Sequence, residues 1–431
     1  MSLAYFTICA RNYLAYATVL RESFEGCHPG EGLAIYVVDA EPGEALPEGA
    51  RALPAGLLPD HDDMAFRYDV TEFSTAVKPY LFAHLLAKKE VSGAVYLDPD
   101  IQVFSQLSEV AGALGSGADA VVTPHLCAPL PPDGRRPSTH EIHRTGVFNL
   151  GFVALAASGP GRGFARWWAE RCRRDCVVDL DGGLFVDQKF AEWLPCFVPR
   201  CSVLQHPGYN VAYWNLGQRP LGVGQGGWRA DGQPLRFFHF SGVSPERDAV
   251  FSKYQDRFDA EALGLAARLA DAYRAKLRAA DHARWRQVPY RHDRLAGGGR
   301  IPKPLRRLYA AWTAETEASG EPRPAPFLPH LERAAEPAPD IDPLRTGQRL
   351  SRYMLETIRL RPDLQALFPL SSARGRAGFA DWFAQHAEAE GLATSAYLPP
   401  ASALTLGTRA RRAVRSTARS LRARSLPTGQ R

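Results

Sequence analysis

The sequence predicts an α/β layered fold followed by a mostly helical C-terminal region. Three observations carry this. Short apolar runs alternate with helical periodicity through the first 256 residues, the pattern of strands and helices stacked in layers. Strand signals then stop, and residues 260–280 are rich in Ala, Leu and Arg at helical spacing. A Pro/Gly/Arg-rich stretch over 288–343 reads as a linker to a last group of helices.

Taken in order, residues 4–10 are an apolar run of strand length, and Asn12 can cap the helix after it. That helix carries Tyr13, Ala17, Leu20 and Phe24 on one face. Residues 34–38 form the next buried strand, which ends on Asp39. A helix is expected over 76–87, with Pro79 tolerated in its first turn and Ser74 or Thr75 as its cap. Residues 93–97 form a strand that runs into Asp98-Pro99-Asp100, and further strands are expected at 118–123, 152–155 and 235–240. The chain therefore divides into an α/β domain over 1–256, a helical extension over 257–290 and a linker over 291–343. That linker holds at most a short helix, over 305–316. A small helical module over 344–400, with helices within 347–368 and 376–391, and a basic tail over 401–431 complete it.

Composition narrows the class. A 45% hydrophobic and 23% charged chain of 431 residues is long enough to bury a large core. No apolar stretch is long enough to span a bilayer. The first ten residues read as a strand with no basic start or cleavage site, so the expected location is cytoplasmic. Seven cysteines, odd in number and dilute, are the usage of a reducing compartment. The spacings among Cys172, Cys176, Cys196 and Cys201 do not suit a zinc knuckle. The net charge of +6 becomes −2 without the eight arginines from Arg409 to Arg431, so nothing marks the body as a nucleic-acid binder. That tail, with Leu404, Val414 and Leu421, could instead lie on an anionic inner-membrane surface, or be solvated.

The chemistry starts at Asp98 and Asp100. Ligands in open α/β sheets sit beyond the carboxyl ends of strands. In extended backbone residues two apart point to the same side, so both carboxylates can converge on one cation. Pro99 stiffens the backbone between them. Hard oxygen ligands suit Mn²⁺ or Mg²⁺, ions that commonly bridge diphosphate oxygens. A solvated turn after a strand is the alternative.

The segment 95–104, VYLDPDIQVF, resembles the D-x-D strand of GT-A-fold nucleotide-sugar glycosyltransferases, particularly the family 8-like, lipopolysaccharide-type enzymes of bacteria. Further segments are similar in the same order over about the first 255 residues. YFTICARNYLAYATVLRESF resembles their first strand and helix, which places Thr7 and Asn12 at the nucleotide. Asp39 matches a carboxylate near the base or ribose, and Lys78 a basic residue between nucleotide and sugar. FNLGFVAL resembles their N-S-G segment, with Asn149 facing the donor sugar. GLFVDQKF resembles their D-Q segment, with Asp187 and Gln188 beside the reacting carbon. HPGYNVAYWNL resembles their Y-N segment, and FHFSG the H-x-x-G segment that supplies His239 as a third metal ligand. Two departures stand out. Leu150 replaces a small polar residue, and no Lys-Pro-Trp comes after His239, so Lys253 is the nearest lysine for the phosphates.

The resemblance implies a metal-dependent hexosyltransferase that uses a UDP-sugar, with retention of configuration, on a glycan or lipid-linked acceptor. The residues alone leave alternatives open. His239 could be a core histidine, Asp187 the cap of a helix starting near Gln188, Lys78 a surface residue and Asp39 a strand end. Tyr209, Tyr213 and Trp214 read as core more than as a sugar platform, and Trp167-Trp168 as packing. The Pro- and Arg-rich loop over 127–139 is the expected acceptor region. A sugar-1-phosphate nucleotidyltransferase is disfavoured because Ala10-Arg11-Asn12-Tyr13 lacks the Gly-rich loop that cradles a triphosphate. A non-catalytic sugar-binding module is disfavoured by the clustered carboxylates, which repel one another without a cation.

Overall fold

The computed structural model describes residues 2–247, 250–294, 300–319 and 350–392. The chain divides into two compact units, Met1–Arg291 and His292–Arg431. The basic tail expected over 401–431 and most of the linker expected over 291–343 lie outside the described residues.

In the first unit, β1 (Leu3–Cys9), β2 (Leu33–Val37), β3 (Ala50–Ala52) and β4 (Gly93–Leu97) are parallel neighbours or share the sheet's direction. Next, β5 (Ile101–Val103) leaves the sheet, while β6 (Ala120–Pro124) and β7 (Phe148–Ala156) extend it. A small antiparallel pair, β8 (Val178–Asp179) and β9 (Leu184–Phe185), precedes the last sheet strand, β10 (Cys201–Val203). The order across the seven strands is β3-β2-β1-β4-β7-β6-β10, and only β7 runs antiparallel to its neighbours. This is a mixed α/β fold with a mainly parallel sheet.

Both faces of that sheet are buried, which is why its strands read as continuous apolar runs. Along β1, Phe6 and Ile8 join the core on one face, with Phe82 and Trp168. Tyr5 and Cys9 join the core on the other, with Leu14 and Phe24. Helix α1 (Leu14–Cys27) supplies the latter pair. The short α2 (His61–Arg67) leads into α3 (Val70–Leu86), which carries Phe82. After these come α4 (Ser108–Gly115), α5 (Thr139–Thr145) and α6 (Gly159–Cys172), the last holding Trp168.

Two helix starts differ from the sequence reading. Helix α3 begins six residues before the expected start, because Asp69 accepts from Thr71 N and Glu72 N while Glu72 answers the Asp69 N–H. This reciprocal cap fixes the start more strongly than a lone Ser74 or Thr75, and it leaves Pro79 inside the helix. Asn12 does not cap α1. It lies in a 3-10 turn over Arg11–Tyr13, and the helix starts at Leu14 with no side-chain cap.

Past α7 (Leu194–Phe197) and the antiparallel set β11 (Leu221–Gly224), β12 (Gly227–Ala230) and β13 (Gln233–Pro234), the chain forms β14 (Phe237–His239). The strand expected over 235–240 is thus shorter, and it pairs with β5 rather than with the main sheet. The single helix expected over 260–280 is broken into α8 (Ala260–Leu263) and α9 (Leu265–Ala279) at Gly264, whose φ of 45° no helix accommodates. A short α10 (His282–Trp285) comes next.

The segment over 257–290 sits inside the first unit and builds part of its core. Tyr273 of α9 stacks on Phe240 with ring centroids 3.9 Å apart, and Ala270 and Leu277 join Phe238 and Val211 in the same cluster. Ending the chain at residue 256 would expose Phe238, Phe240 and Tyr16. Each large apolar side chain buried there contributes roughly 2 kcal/mol, so the truncated protein is expected to be insoluble on expression. A soluble monomer in size-exclusion chromatography would show that the strand end needs no helical cover.

The second unit contains α11 (Lys303–Ser319), longer than the short helix expected there. It also contains α12 (Arg352–Arg359), α13 (Pro362–Leu367) and α14 (Ala373–His386), close to the helices read from the sequence. Its core includes Tyr353, Met354, Phe379 and Phe383, and Ser351 and Ser372 cap their helices. Among the described residues no helix is long and apolar enough to cross a membrane.

Candidate functional site

A cavity of about 550 Å³ opens beyond the carboxyl end of β4, where β7 begins. Lys78, Asp98, Asp100, Asn149, Asp187, Gln188 and His239, all singled out from the sequence, line it. Thr7, Asn12, Asp39 and Lys253 do not. Thr7 is fully buried within β1. Asp39 is buried too, accepting from Arg11 N at 2.8 Å and from Arg291 N at 3.3 Å. Lys253 lies over the Tyr254 ring, 4.8 Å from its centre.

The two aspartates meet by a turn and not by extended backbone. Ile101 N donates to Asp98 O at 3.1 Å, closing a tight turn through Pro99, and Asp98 N is held by Gly151 O at 2.7 Å. β5 then pairs antiparallel with β14, with His239 opposite Ile101, and Phe240 N donates to Asp100 O at 2.8 Å. This ribbon delivers the imidazole to the carboxylates. His239 Nε2 lies 3.0 Å from Asp100 Oδ1 and 3.7 Å from Asp98 Oδ2. One ligand atom from each of the three side chains lies within 4.8 Å of the other two, the one such grouping among the described residues. Burial raises the Asp98 carboxyl above its ordinary pKa, against the pull of Lys78 and His239. Burial disfavours the His239 imidazolium, yet Asp100 and then Asp98 outweigh it and raise that pKa. A buried carboxyl beside a second one, with an imidazole nitrogen 3.0 Å from the latter, is a place where a cation is favoured.

A carboxamide network aims the His239 ring. His125 is kept neutral, with burial and then the nearby His239 pushing its pKa down to about 4. Its Nε2, 3.1 Å from Asn149 Nδ2, can therefore accept from that amide. Asn149 Oδ1 is left facing inward, where it accepts from Gly151 N at 3.1 Å and from Asn210 Nδ2 at 3.0 Å. His239 Nδ1 lies 3.2 Å from that oxygen and 3.3 Å from Asn210 Oδ1, two acceptors, so Nδ1 carries the proton. Nε2 is then the nitrogen that faces Asp98 and Asp100, and its lone pair becomes available to a cation when its proton is lost. Asn210 adopts φ 53°, and its amide also donates to Thr123 Oγ1 at 2.8 Å.

Gly151 makes room for this arrangement. A Cβ there would sit 2.4 Å from His239 Cε1 and 2.8 Å from Asn149 Oδ1. His239 is 4% exposed and has nowhere to retreat. Gly151→Ala is expected to cost about 1–3 kcal/mol of stability and to weaken Mn²⁺ binding through the displaced ring. Calorimetric titration with Mn²⁺ and thermal melts check both, and a wild-type result in each would mean the ring tolerates the methyl group.

On the other side of the carboxylates lies a buried ion pair. Lys78, 1% exposed, places Nζ 2.7 Å from Asp187 Oδ2 and donates to Leu150 O at 2.9 Å. It also lies 4.2 Å from the centre of the Tyr96 ring, whose hydroxyl donates to Asp98 Oδ1 at 2.6 Å. Lys78 is thus not a surface residue: it lines the cavity while paired with Asp187. Asp187 does not cap the 3-10 helix after it (Lys189–Trp193), because its carboxylate is turned to Lys78; burial still raises its pKa above the ordinary value. Gln188 accepts from Leu150 N at 2.9 Å and donates to Thr145 O at 3.0 Å. Trp168 donates its indole N–H to Asp187 O at 3.0 Å, so this packing tryptophan also holds the segment.

The loop over 127–139 reaches the cavity through Arg136 and Pro137. It is tied down by Arg136 N on Asp256 Oδ1 at 2.7 Å and by Arg257 on Asp133 at 2.6 Å. Sequence reasoning assigned no role to His125 or Tyr96, and it met Asn210 and Gly151 only as part of the Y-N and N-S-G segments. Tyr96 carries a signal in hindsight, since it lies two residues before Asp98 on the same strand and faces the same way. Nothing local distinguishes His125.

No family model matches this chain. Two uncharacterized proteins of Bacillus subtilis strain 168 are similar to it. YfnF is 25% identical over 262 residues, covering 56% of this chain and 82% of that protein. YfnD is 28% identical over 184 residues, covering 42% and 57% respectively. Among solved structures, the galactosyltransferase LgtC in complex with donor and acceptor sugar analogs is 15% identical, with a TM-score of 0.38, over 64% of this chain and 95% of that one. A glycosyltransferase involved in glycosylation of the major capsid of PBCV-1 is 12% identical, with a TM-score of 0.33, over 56% and 94%. Likeness this remote leaves the chemistry to be argued from the residues themselves.

Proposed function

We propose that the first unit is a metal-dependent glycosyltransferase of GT-A type that moves a hexose from a nucleoside diphosphate sugar, a UDP-sugar by its resemblance, to a glycan or lipid-linked hydroxyl. The observation that carries the reading is the meeting of Asp98, Asp100 and the pre-aimed His239 in one cavity with the buried Lys78–Asp187 pair.

Two carboxylate oxygens and one imidazole nitrogen fit Mn²⁺ or Mg²⁺, and Asp98, Asp100 and His239 would hold the ion. Such an ion, when bound, offsets the negative charge that builds on a departing diphosphate, an effect worth several kcal/mol. The chain's own residues do the rest. Lys78 keeps Asp187 in place, so a fixed carboxylate faces the positive charge that develops at the sugar's anomeric carbon. The bond from that carbon to the diphosphate oxygen breaks, and its electron pair leaves with the diphosphate. The acceptor oxygen bonds to the carbon, and its proton passes to the released phosphate oxygen.

Asp187 is bound by Lys78, and the Gln188 carbonyl already accepts from Leu150, so neither is a free nucleophile. That argues against a covalent intermediate, and retention rests on the resemblance alone. The nucleoside end extends toward Asn12 and Asp39, just past the carboxyl ends of β1 and β2.

Incubating the protein with a panel of nucleotide sugars, with and without Mn²⁺, tests this. Release of the nucleoside diphosphate from at least one donor, lost in chelator, is expected. No release from any donor with any divalent metal would sink the reading.

A further inference from the structure

The ion-pair side of the cavity has a role in sugar transfer, but the opposite side has none so far. Contacts among the cavity's lining residues form one chain of neighbours. Tyr254 and Tyr213 have ring centroids 6.0 Å apart, Tyr213 and Trp214 4.9 Å, and Trp214 and His239 5.2 Å. Beside His239 come Asp100 and Asp98, and from Asp98 the contacts pass to Tyr96, Lys78 and Asp187. The carboxylates and His239 therefore stand between an ion-pair arm and an aromatic arm. Two ligands that react at a leaving diphosphate need one arm each.

The aromatic arm has an unmet polar group. Trp214 is 3% exposed and lines the cavity, and its Nε1–H finds no acceptor among the described residues. Trp168, the other tryptophan near the site, donates its N–H to Asp187 O. A buried donor without an acceptor is disfavoured unless a ligand supplies one. The other aromatics are open to the cavity. Tyr213 is half-buried and Tyr254 is 41% exposed, and both line it. Ser241 and Glu141 also line the cavity and add a hydroxyl and a carboxylate, the latter already accepting from Ser138 N and Arg136 Nε.

Aromatic rings beside an unpaired N–H and short polar groups match one chemistry, that of a pyranose. Its C–H face covers an aromatic ring and its hydroxyls take the polar contacts. An acyl chain would leave the indole N–H unsatisfied. We propose that Tyr213, Trp214 and Tyr254 form a pyranose subsite for the acceptor, with the Trp214 N–H donating to a ring hydroxyl. The acceptor role rests on the glycosyl-transfer reading, whereas the binding of a pyranose does not.

The test is saturation-transfer NMR on the full chain without donor, using a panel of methyl hexopyranosides. At least one is expected to bind. Trp214→Phe, which keeps a ring and removes the N–H, should weaken it about fivefold or more. Tyr254→Ala, at an exposed position that does not threaten folding, should weaken it by a similar factor. Addition of Mn²⁺ and a nucleotide sugar should leave the glycoside bound. Displacement by the nucleotide sugar would overturn the acceptor assignment and make this the donor's own sugar pocket. Wild-type affinity in both variants, or no binding of any glycoside by a protein that still releases nucleoside diphosphate from a donor, would overturn the subsite and leave the transferase reading standing. Glycoside binding without any such release would do the reverse.

Discussion

Asp100→Ala is expected to lower sugar transfer by about 10³-fold, since an effect of roughly 4 kcal/mol on the leaving diphosphate corresponds to three tenfold steps. Mn²⁺ affinity, measured by calorimetry on the protein alone, should fall at least about tenfold with it. The fold should survive. Asp100 contributes to the β5–β14 ribbon through its main-chain oxygen, which holds Phe240 N at 2.8 Å, and alanine keeps that bond. Removing one of two neighbouring carboxylates relieves repulsion but also loses the contact with His239 at 3.0 Å, so the melting temperature should change little. Unchanged Mn²⁺ affinity and unchanged rate would reduce Asp100 to a turn residue.

The second large effect is on stability. Lys78→Met removes the cation from a pair whose members are 1% and 2% exposed, leaving the Asp187 carboxylate buried and unanswered. Breaking such a pair from one side costs about 3–5 kcal/mol, which lowers the melting temperature by on the order of 10 °C for a unit of this size. The double change Lys78→Met with Asp187→Asn should recover much of that loss, because no charge is then stranded. Thermal denaturation of the two variants and the wild type decides it. If single and double variants melt together, the pair is not coupled and Asp187 is answered by other groups.

The sequence by itself determined the fold class and the carboxylate centre of the site. Continuous apolar runs at β1, β2 and β4 report strands buried on both faces, and a strand that ends in Asp98-Pro99-Asp100 must deliver those carboxylates to the end of a sheet. Local periodicity also marked α1, α3, the α8–α9 stretch and the helices of the second unit, but not α2, α4, α5 or α7. Boundaries were less legible where side chains and backbone compete. Asp69 and Glu72 start α3 earlier than Ser74 or Thr75 would, and Gly264 breaks a helix whose periodicity continues through it.

What only the tertiary structure decided is who faces whom. Hydrophobic spacing reports that a residue is buried but not what it is buried against. His239 reads equally as core or ligand until β14 pairs with β5 and sets its Nε2 3.0 Å from Asp100. Lys78 reads as a surface residue until α3 packs on the sheet and brings its Nζ to Asp187. Trp214 reads as core, and it is buried, yet it is also cavity wall with an unspent N–H. Each of these depends on partners far away in the chain, and a charge or a hydrogen bond has no energy that can be assigned before its partner is in place.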